Sequence, residues 1–254
     1  MALTVLAFFA HPDDETMFNG GTLAYLALRG ARVHYLSTTR GEGGEMGDPP
    51  LCTREELGRV RESELECAVQ ALGGASVSFL GYQDPVIGPG DELYPFAEDE
   101  EDVVRKLVSV LEELDPDLVI THGSDGEYGH PAHVLAHQSL MGAVRSRGGV
   151  KPVVYTVAPA YEGEPRPGLS NDSDRADWVL DISPVRDRKI QAAACHRTQH
   201  GLFLRHASQR LGRKATLPDV IRDEEALSRA FPAAEGSSRD PLEEFLAGIA
   251  VIEP

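Results

Sequence analysis

Residues 3–15 read LTVLAFFAHPDDE, an apolar run that passes directly into a histidine and three acidic residues. The apolar part has the length and composition of a buried strand, and open α/β sheets place their chemistry at the carboxyl ends of such strands. An imidazole and carboxylates on the following turn are able to converge on one point, where they form a reasonable ligand shell for zinc. The alternative interpretation is that the acids only complement the positive end of a helix over residues 16–29.

A second cluster favours the first interpretation. Residues 117–121 (DLVIT) indicate another short buried strand, and four of the nine histidines follow within residues 122–137. Pro131 suits the first position of a helix. His130, His133 and His137 are spaced by three and four residues and therefore share one face near its N-terminus. A lone histidine there would be a cap or a surface residue, but four in so short a segment indicate a ligand or acid–base role.

The rest of the chain alternates between strand and helix patterns, which predicts a parallel sheet with helices on both faces. Beside the strands at 3–10 and 118–121, the pattern predicts strands at 33–38, 76–80, 153–157 and 178–182, and helices at 16–29, 54–72, 102–114, 131–147 and 184–195. After residue 202 it weakens to short helices at 224–231 and 241–250. The predicted fold class is α/β: a single domain with a Rossmann-like, mostly parallel sheet and a C-terminal extension.

Composition and charge narrow the function. A length of 254 residues with 41% hydrophobic residues suits one α/β domain with a full core. The net charge of −17 argues against a nucleic-acid partner, because such a surface repels phosphates. The first apolar run is too short to span a bilayer and has no basic segment before it, so we expect a strand there and no membrane span or signal peptide.

The cysteines are Cys52, Cys67 and Cys195, an odd number without metal-type spacing. This pattern predicts no disulfide framework and favours a reducing compartment, and we expect a cytoplasmic protein.

Nucleotide binding is the natural alternative for such a fold. The sequence after the first strand contains neither a dinucleotide-binding glycine motif nor a phosphate-binding loop, and it puts carboxylates where a phosphate would lie. Residues 40–45 (RGEGGE) are glycine-rich but acidic, and we interpret them as a mobile loop over the site or as a plain surface loop. A basic stretch over residues 205–214 is either a solvated face or a contact for an anionic part of a substrate.

The two histidine-containing motifs together resemble the LmbE-like family of zinc-dependent N-acetylglucosaminyl deacetylases, which includes the PIG-L enzymes and deacetylases of low-molecular-weight thiol biosynthesis. The resemblance rests on AHPDDE at 10–15 and GEYGHPAH at 126–133. It extends to Arg61, to LGYQD at 80–84, and to Lys189 with HRTQ at 196–199, where the family usually has His-x-Ser-Gln. It implies a deacetylase domain over residues 1–200, with residues 201–254 as a C-terminal extension packed on the same domain.

The resemblance also implies residue roles. His11, Asp14 and His133 would be the ligands of one Zn²⁺ per chain, with other divalent metals left open. Asp13 would be the general base, and His130 would donate to the oxyanion that develops during amide hydrolysis. The structural alternatives are that Asp13 is a capping or outer-shell acid and that His130 is only the helix cap.

Arg61 and Asp84 would bind sugar hydroxyls, by the same resemblance. An arginine on a helix is more often a surface ion-pair partner, and an aspartate before a proline is often just a turn residue. His137 would be a fourth ligand or, one turn deeper in the helix, a packed histidine. Glu15 would orient a ligand.

The sequence departs from the family at Ala132, where the motif usually reads His-Pro-Asp-His. His130 thereby lacks a carboxylate partner, for which Asp125 and Glu127 are the candidate replacements. Two functions follow. The first is a metal-dependent hydrolase that removes acetyl from an N-acetylglucosamine-containing small molecule, and Asp13 favours it. The second is a noncatalytic carbohydrate- or metal-binding relative. The expected partner is thus a small molecule, and homo-oligomerisation is left open.

Overall fold

The structure is a computed structural model that describes residues 2–161, 168–169, 171, 173–232, 241–246 and 251–252. The elements in these residues are, in chain order, β1 (Thr4–Phe9), α1 (Asp14–Leu28), β2 (Arg32–Thr39), α2 (Leu57–Leu72), β3 (Ser76–Tyr82), α3 (Glu100–Leu114), β4 (Leu118–Thr121), α4 (Gly126–Gly129), α5 (Pro131–Ser146), β5 (Val153–Val157), β6 (Trp178–Asp181), α6 (Arg186–Cys195), α7 (His200–Leu211), α8 (Leu217–Val220), β7 (Glu224–Phe231), α9 (Pro241–Leu246) and β8 (Val251–Ile252). Two short 3₁₀ turns, Ser183–Val185 and Arg197–Gln199, precede α6 and α7.

The described strands form one sheet in the order β3-β2-β1-β4-β5-β7-β6-β8. Strands β1 to β5 pair in parallel, whereas β7 is antiparallel to β5 and to β6. The chain proceeds from β1 to β2 and β3 on one side, then returns to β4 on the other side of β1. This reversal leaves a crevice outside the carboxyl ends of β1 and β4, where open α/β sheets bind ligands.

Two hydrophobic layers cover the faces of the sheet. All residues of β1 are buried, and alternate side chains point to opposite layers. Val5 and Phe9 pack with residues of α1, α2 and α6, whereas Leu6 and Phe8 pack with residues of α3 and α5. The predicted α/β class, with a mostly parallel sheet and helices on both faces, is confirmed.

The predicted elements up to residue 195 are observed with their ends within three residues of the prediction. The helix predicted at 224–231 is wrong, because this segment is β7. Its sequence, EEALSRAF, contains good helix formers. Both of its edges pair with strands, however, and this tertiary pairing overrides the local preference. The helix predicted at 241–250 is observed as α9, and residues 247–250 lie outside the described residues.

The C-terminal segment contributes β7 and β8 to the same sheet. The domain boundary at residue 200 stays a prediction. In the part of the chain that the structure describes, no helix is long and apolar enough to cross a membrane.

The cysteine prediction is wrong for two of the three residues. Cys67 on α2 and Cys195 on α6 form a disulfide, while Cys52 is free. The two half-cystines are 128 residues apart in sequence, and only the packing of α2 beside α6 brings them together. The reducing compartment and the cytoplasmic location stay predictions.

Helix α1 is interrupted at Asn19 (φ −130°, ψ 21°). Strand β7 supplies the side chain that accepts hydrogen bonds from the backbone after this break. Just after this break, the carboxylate of Glu225 accepts hydrogen bonds from Gly21 N at 2.8 Å, Thr22 N at 2.7 Å and Lys189 Nζ at 2.7 Å. Glu225 is 1% exposed, so its charge depends on these partners. The Glu225 side chain thus caps the second half of α1, although it lies 204 residues after Gly21 in the sequence.

Replacing Glu225 with alanine should therefore destabilise the fold strongly, because it removes the ion pair with the buried Lys189 and the acceptor of the Gly21 and Thr22 N–H groups. We expect the free energy of unfolding to fall by about 3–5 kcal/mol, the usual cost of breaking a buried pair. Urea denaturation of Glu225→Ala checks this, with Glu112→Ala on the exposed face of α3 as the control. A loss equal to that of the control would contradict a capping role for Glu225.

Candidate active site

The two histidine-containing motifs meet in the crevice at the carboxyl ends of β1 and β4. His11 follows β1, and α5 brings His130 and His133 beside it. The ring centroid of His11 lies 5.0 Å from that of His130 and 5.3 Å from that of His133. The structure therefore gathers the predicted histidines although more than a hundred residues separate the two motifs.

Asp14, on the first turn of α1, lies at the centre of this cluster. Its Oδ2 atom is 3.2 Å from His11 Nδ1 and 3.4 Å from Nε2 of both His122 and His133. Burial opposes ionisation of this carboxyl group, but the neighbouring imidazoles hold its pKa well below the ordinary value. The three predicted ligands, His11, Asp14 and His133, are thus brought together.

The donor atoms of this cluster fit a metal ion. Two overlapping trios, His11 with His130 and His133, and Asp14 with His122 and His133, each keep one ligand atom per residue within 4.8 Å of the others. His133 belongs to both trios. Its Nδ1 atom bonds to Glu127 Oε2 at 2.7 Å, whereas its buried Nε2 atom has no hydrogen-bond partner among the described residues. An imidazole with one nitrogen held by a carboxylate and the other left free is the usual arrangement of a metal-binding histidine.

His122 is bound differently from His133, although the two rings stack with centroids 3.9 Å apart. Ala10 N donates to His122 Nε2 at 2.9 Å, and His122 Nδ1 lies 3.0 Å from Glu127 Oε2. Both ring nitrogens therefore have protein partners. The fully buried ring joins the end of β1 to the end of β4 and supports Glu127.

Glu127 has a role in the site that the sequence did not reveal. It was expected only as a replacement partner for His130, but its carboxylate bonds to His122, His133 and the Gly123 N–H. Its backbone has a positive φ of 62°, which is uncommon for a residue with a side chain. The only signal in the sequence was an acid lying between two histidine positions.

Asp13 is the N-cap of α1, with a φ of 114°. Its Oδ2 atom lies 3.3 Å from Arg61 Nη2. Burial raises the pKa of Asp13 to about 7 against the opposing effect of Arg61. A carboxyl group with a pKa near neutrality is suited both to accept and to release a proton.

His130 is a helix cap, as one alternative predicted. Its Nδ1 atom accepts from Ala132 N at 3.2 Å, and its ring stacks on His133 with centroids 4.4 Å apart. Burial and the neighbouring imidazoles of His133 and His11 lower the pKa of His130 to about 3. Because Nδ1 accepts, the neutral ring carries its proton on Nε2, so the capping role preserves a hydrogen-bond donor.

The Ala132 side chain is fully buried in the hydrophobic layer between the sheet and α3 and α5. It packs there with Leu6 and Phe8. The residue therefore interacts with His130 through its backbone N–H and contributes its methyl group to the core.

Arg61 and Asp84, the predicted sugar contacts, both lie at the site and both have protein partners. Arg61 donates to the Gly41 and Pro12 carbonyl groups. Asp84 Oδ1 lies 3.2 Å from His11 Nε2. Burial lowers the pKa of His11, but the carboxylates of Asp84 and Asp14 outweigh burial and raise this pKa to about 10.

The glycine-rich loop over residues 40–45 packs closely on this part of the site. Gly43 N donates to Asp84 Oδ2 at 3.2 Å. A Cβ atom at Gly43 would overlap the Pro85 carbonyl, and one at Gly41 or Gly44 would overlap the Arg61 guanidinium. The glycines are thus needed for close approach, so the loop forms a wall of the site.

His137 and Tyr128 lie beside the clustered histidines. His137 Nδ1 bonds to the His122 carbonyl at 2.9 Å, which fits a packed histidine rather than a fourth ligand. Tyr128, which sequence analysis missed, places its ring centroid 5.6 Å from that of His130 and 5.5 Å from that of His133. Its signal was an aromatic residue two positions before His130.

The basic stretch over residues 205–214 is partly neutralised on the surface. Arg205 pairs with Glu45, and Arg213 pairs with Asp219 at 2.6 Å. These exposed pairs favour the interpretation of a solvated face.

Sequence comparison places the chain among related proteins. The PIG-L family model, described as GlcNAc-PI de-N-acetylase, matches residues 6–144, more than half of the chain. The 1D-myo-inositol 2-acetamido-2-deoxy-alpha-D-glucopyranoside deacetylase of Acidothermus cellulolyticus is 30% identical over 294 residues, which cover 100% of this chain and 97% of that protein.

Solved structures share the fold. The N,N'-diacetylchitobiose deacetylase of Pyrococcus horikoshii has a TM-score of 0.63 at 18% identity, covering 89% of this chain and 83% of its own. The 4-carboxy-2-hydroxymuconate hydratase of Pseudomonas putida has a TM-score of 0.62 at 23% identity, covering 93% and 100%. The family assignment rests on the sequence matches, and on them the chain belongs to the PIG-L, or LmbE-like, family.

Proposed function

We propose that this protein is a metal-dependent hydrolase that removes an acetyl group from an N-acetylglucosamine-containing small molecule. The observation that carries the proposal is His133, whose Nδ1 is held by Glu127 while its buried Nε2, beside Asp14, has no hydrogen-bond partner in the part of the chain that the structure describes. The sequence relatives, named as deacetylases of an N-acetylglucosamine conjugate of inositol, support the substrate class.

The proposed metal is one zinc ion per chain, held by His11, Asp14 and His133. Two imidazoles and a carboxylate are a common three-residue set for a catalytic zinc site. Bound zinc supplies a Lewis acid that makes water nucleophilic near neutral pH and polarises a carbonyl group. Glu127 would fix the orientation of His133 toward the metal, and Asp84 that of His11.

The chain's own residues would move the protons. In amide hydrolysis a C–O bond forms at the acetyl carbon and the C–N bond breaks, so one proton leaves the water and the departing nitrogen gains one. Asp13 is the proposed carrier of that proton, since it adjoins a ligand and pairs with Arg61 instead of with the histidines. His130 would donate its Nε2 proton in a hydrogen bond to the acetyl oxygen as negative charge develops there.

Arg61 and Asp84 are proposed to face the sugar, as the family resemblance implies. Their described protein contacts give each a second task, because Arg61 also holds the turn at Asp13 and Asp84 also contacts His11. The two tasks have different kinetic consequences. A lost sugar contact raises KM, whereas a lost support for the reacting groups lowers kcat.

The second candidate function is a noncatalytic carbohydrate- or metal-binding relative. Ala132 is the observation that favours it, since the family usually has aspartate there. Release of free amine from a panel of N-acetylglucosamine conjugates decides between the two functions. A protein that holds its metal and releases no amine from any conjugate would support the second one.

The metal assignment predicts which residues control metal content. His11→Ala, Asp14→Ala and His133→Ala should each abolish stoichiometric zinc, because an open three-residue site cannot hold the ion tightly with two. Elemental analysis of the purified proteins checks this, with His206→Ala on the exposed face of α7 as the control. If all three variants retain the metal, the ligand set is wrong.

The role of Asp13 predicts a separation of metal binding from turnover. Asp13→Asn keeps the shape of the side chain, so the protein should retain its metal. It should lose about 10²-fold to 10⁴-fold in kcat, the usual contribution of a general acid–base group. Acetate release measured at saturating substrate checks this. Near-normal turnover of a folded, metal-loaded variant would assign the proton transfer to another residue.

The sugar contacts predict a change in substrate affinity. Arg61→Ala and Asp84→Ala should chiefly raise KM for N-acetylglucosamine conjugates, because hydroxyl groups of the bound sugar would lose their partners. Steady-state kinetics with parallel metal analysis checks this. A fall in kcat or metal content at unchanged KM would instead restrict the two residues to supporting Asp13 and His11.

A further inference from the structure

The backbone at Asp13 requires an explanation. Its φ of 114° lies in a backbone region that residues other than glycine rarely adopt. Such a conformation persists only where the surroundings hold it. In this turn Met17 N donates to the Asp13 carbonyl at 2.8 Å, and Asp13 N donates to Glu15 Oε2 at 3.0 Å. The Glu15 carboxylate is therefore a direct support of the strained residue.

Glu15 is itself held from a distant part of the chain. The side chain is buried, and its other oxygen, Oε1, accepts from Thr16 Oγ1 at 2.5 Å and lies 3.2 Å from His196 Nε2. The His196 ring is 0% exposed, and no described residue offers a hydrogen-bond partner to its Nδ1 atom. A proton on Nε2 meets the Glu15 carboxylate and, also at 3.2 Å, Thr16 Oγ1, whose own proton goes to Glu15, so His196 Nε2 donates toward this pair.

The backbone on both sides of His196 is held to α2 by neighbouring residues. Cys195 before it forms the disulfide with Cys67 on α2. Two residues after it, Thr198 donates from N at 2.8 Å and from Oγ1 at 2.6 Å to the Glu64 carboxylate, which is also on α2. The imidazole thus projects from a backbone anchored to α2, the helix that also supplies Arg61 to Asp13. A ring held in this way can keep Glu15 in one orientation.

We propose that His196 is a positioning residue that acts through Glu15 to hold Asp13 in its strained conformation. The inference rests on the proposed role of Asp13 in proton transfer. His196 needs no contact with substrate or metal for this task. Its Nε2–H orients the Glu15 carboxylate, and that carboxylate fixes the Asp13 N–H and with it the direction of the Asp13 side chain.

Two replacements of His196 separate the hydrogen bond from the volume of the side chain. Glutamine can place an amide N–H near the position of Nε2, whereas asparagine reaches only the position of Nδ1. His196→Asn should lower kcat by about 10-fold to 10²-fold, the scale of a small misplacement of a reacting group, with KM and metal content nearly unchanged. His196→Gln should restore most of kcat. The matched control is His200→Asn, which should leave kcat unchanged. Among the described contacts, the His200 ring bonds only to the Ala193 carbonyl.

A double variant tests whether the effect passes through Asp13. In the Asp13→Asn background, His196→Asn should cause no further loss of kcat, because the group that it positions is already gone. An unchanged kcat in His196→Asn, no rescue by glutamine, or a loss that adds to that of Asp13→Asn would overturn the proposal.

If His196→Asn does not fold, Glu15→Gln replaces it, because an amide nitrogen cannot accept from a second donor as the carboxylate does. That variant should lose kcat to a similar extent and likewise show no additional loss with Asp13→Asn. Normal turnover of Asp13→Asn alone would contradict the proposed function, whereas a slow Asp13→Asn with additive losses would contradict only the positioning role.

Discussion

The parallel pairing of β1 with β4 is the constraint on which the site depends. It brings the two carboxyl ends together, and the bond from Ala10 N to His122 Nε2 joins residues 112 positions apart. Helix α1 starts shortly after β1, and α5 follows β4 after the short helix α4, with Asp14 and His133 in the first turns of α1 and α5. The positions of the reacting groups are therefore set by sheet geometry and helix starts, which are the rigid parts of the fold.

The second feature of the site is that nearly every imidazole is oriented by an acid or a backbone group. Glu127 holds His122 and His133, Asp84 and Asp14 hold His11, and the Ala132 N–H holds His130. Each ring is thereby held in a defined direction, which is what metal binding and proton donation require. The strained turn at Asp13 is likewise held by charged side chains, Arg61 and Glu15. Backbone strain of this kind clusters at functional sites.

The sequence predicts the parts of the fold that depend on local patterns. The apolar run of β1, the proline at the start of α5 and the histidine spacing predict the strand ends, the helix starts and a cluster of histidines, whereas the predicted ligand set is what the family resemblance implies. The errors concern residues whose environment is set by distant contacts. β7 looks helical until its two neighbouring strands are known, and Cys67 meets Cys195 only through the packing of α2 on α6. Glu127 and the pairing of Glu15 with His196 are likewise invisible to periodicity.

The place of β7 in the sheet has a consequence for how the chain is made. All residues proposed to bind metal or move protons precede residue 134, so a ribosome releases them well before Glu224–Phe231. Until then β5 and β6 lack the strand that lies between them, and the second half of α1 lacks the Glu225 carboxylate. A premature stop codon before residue 231 would thus delete an internal strand rather than a tail.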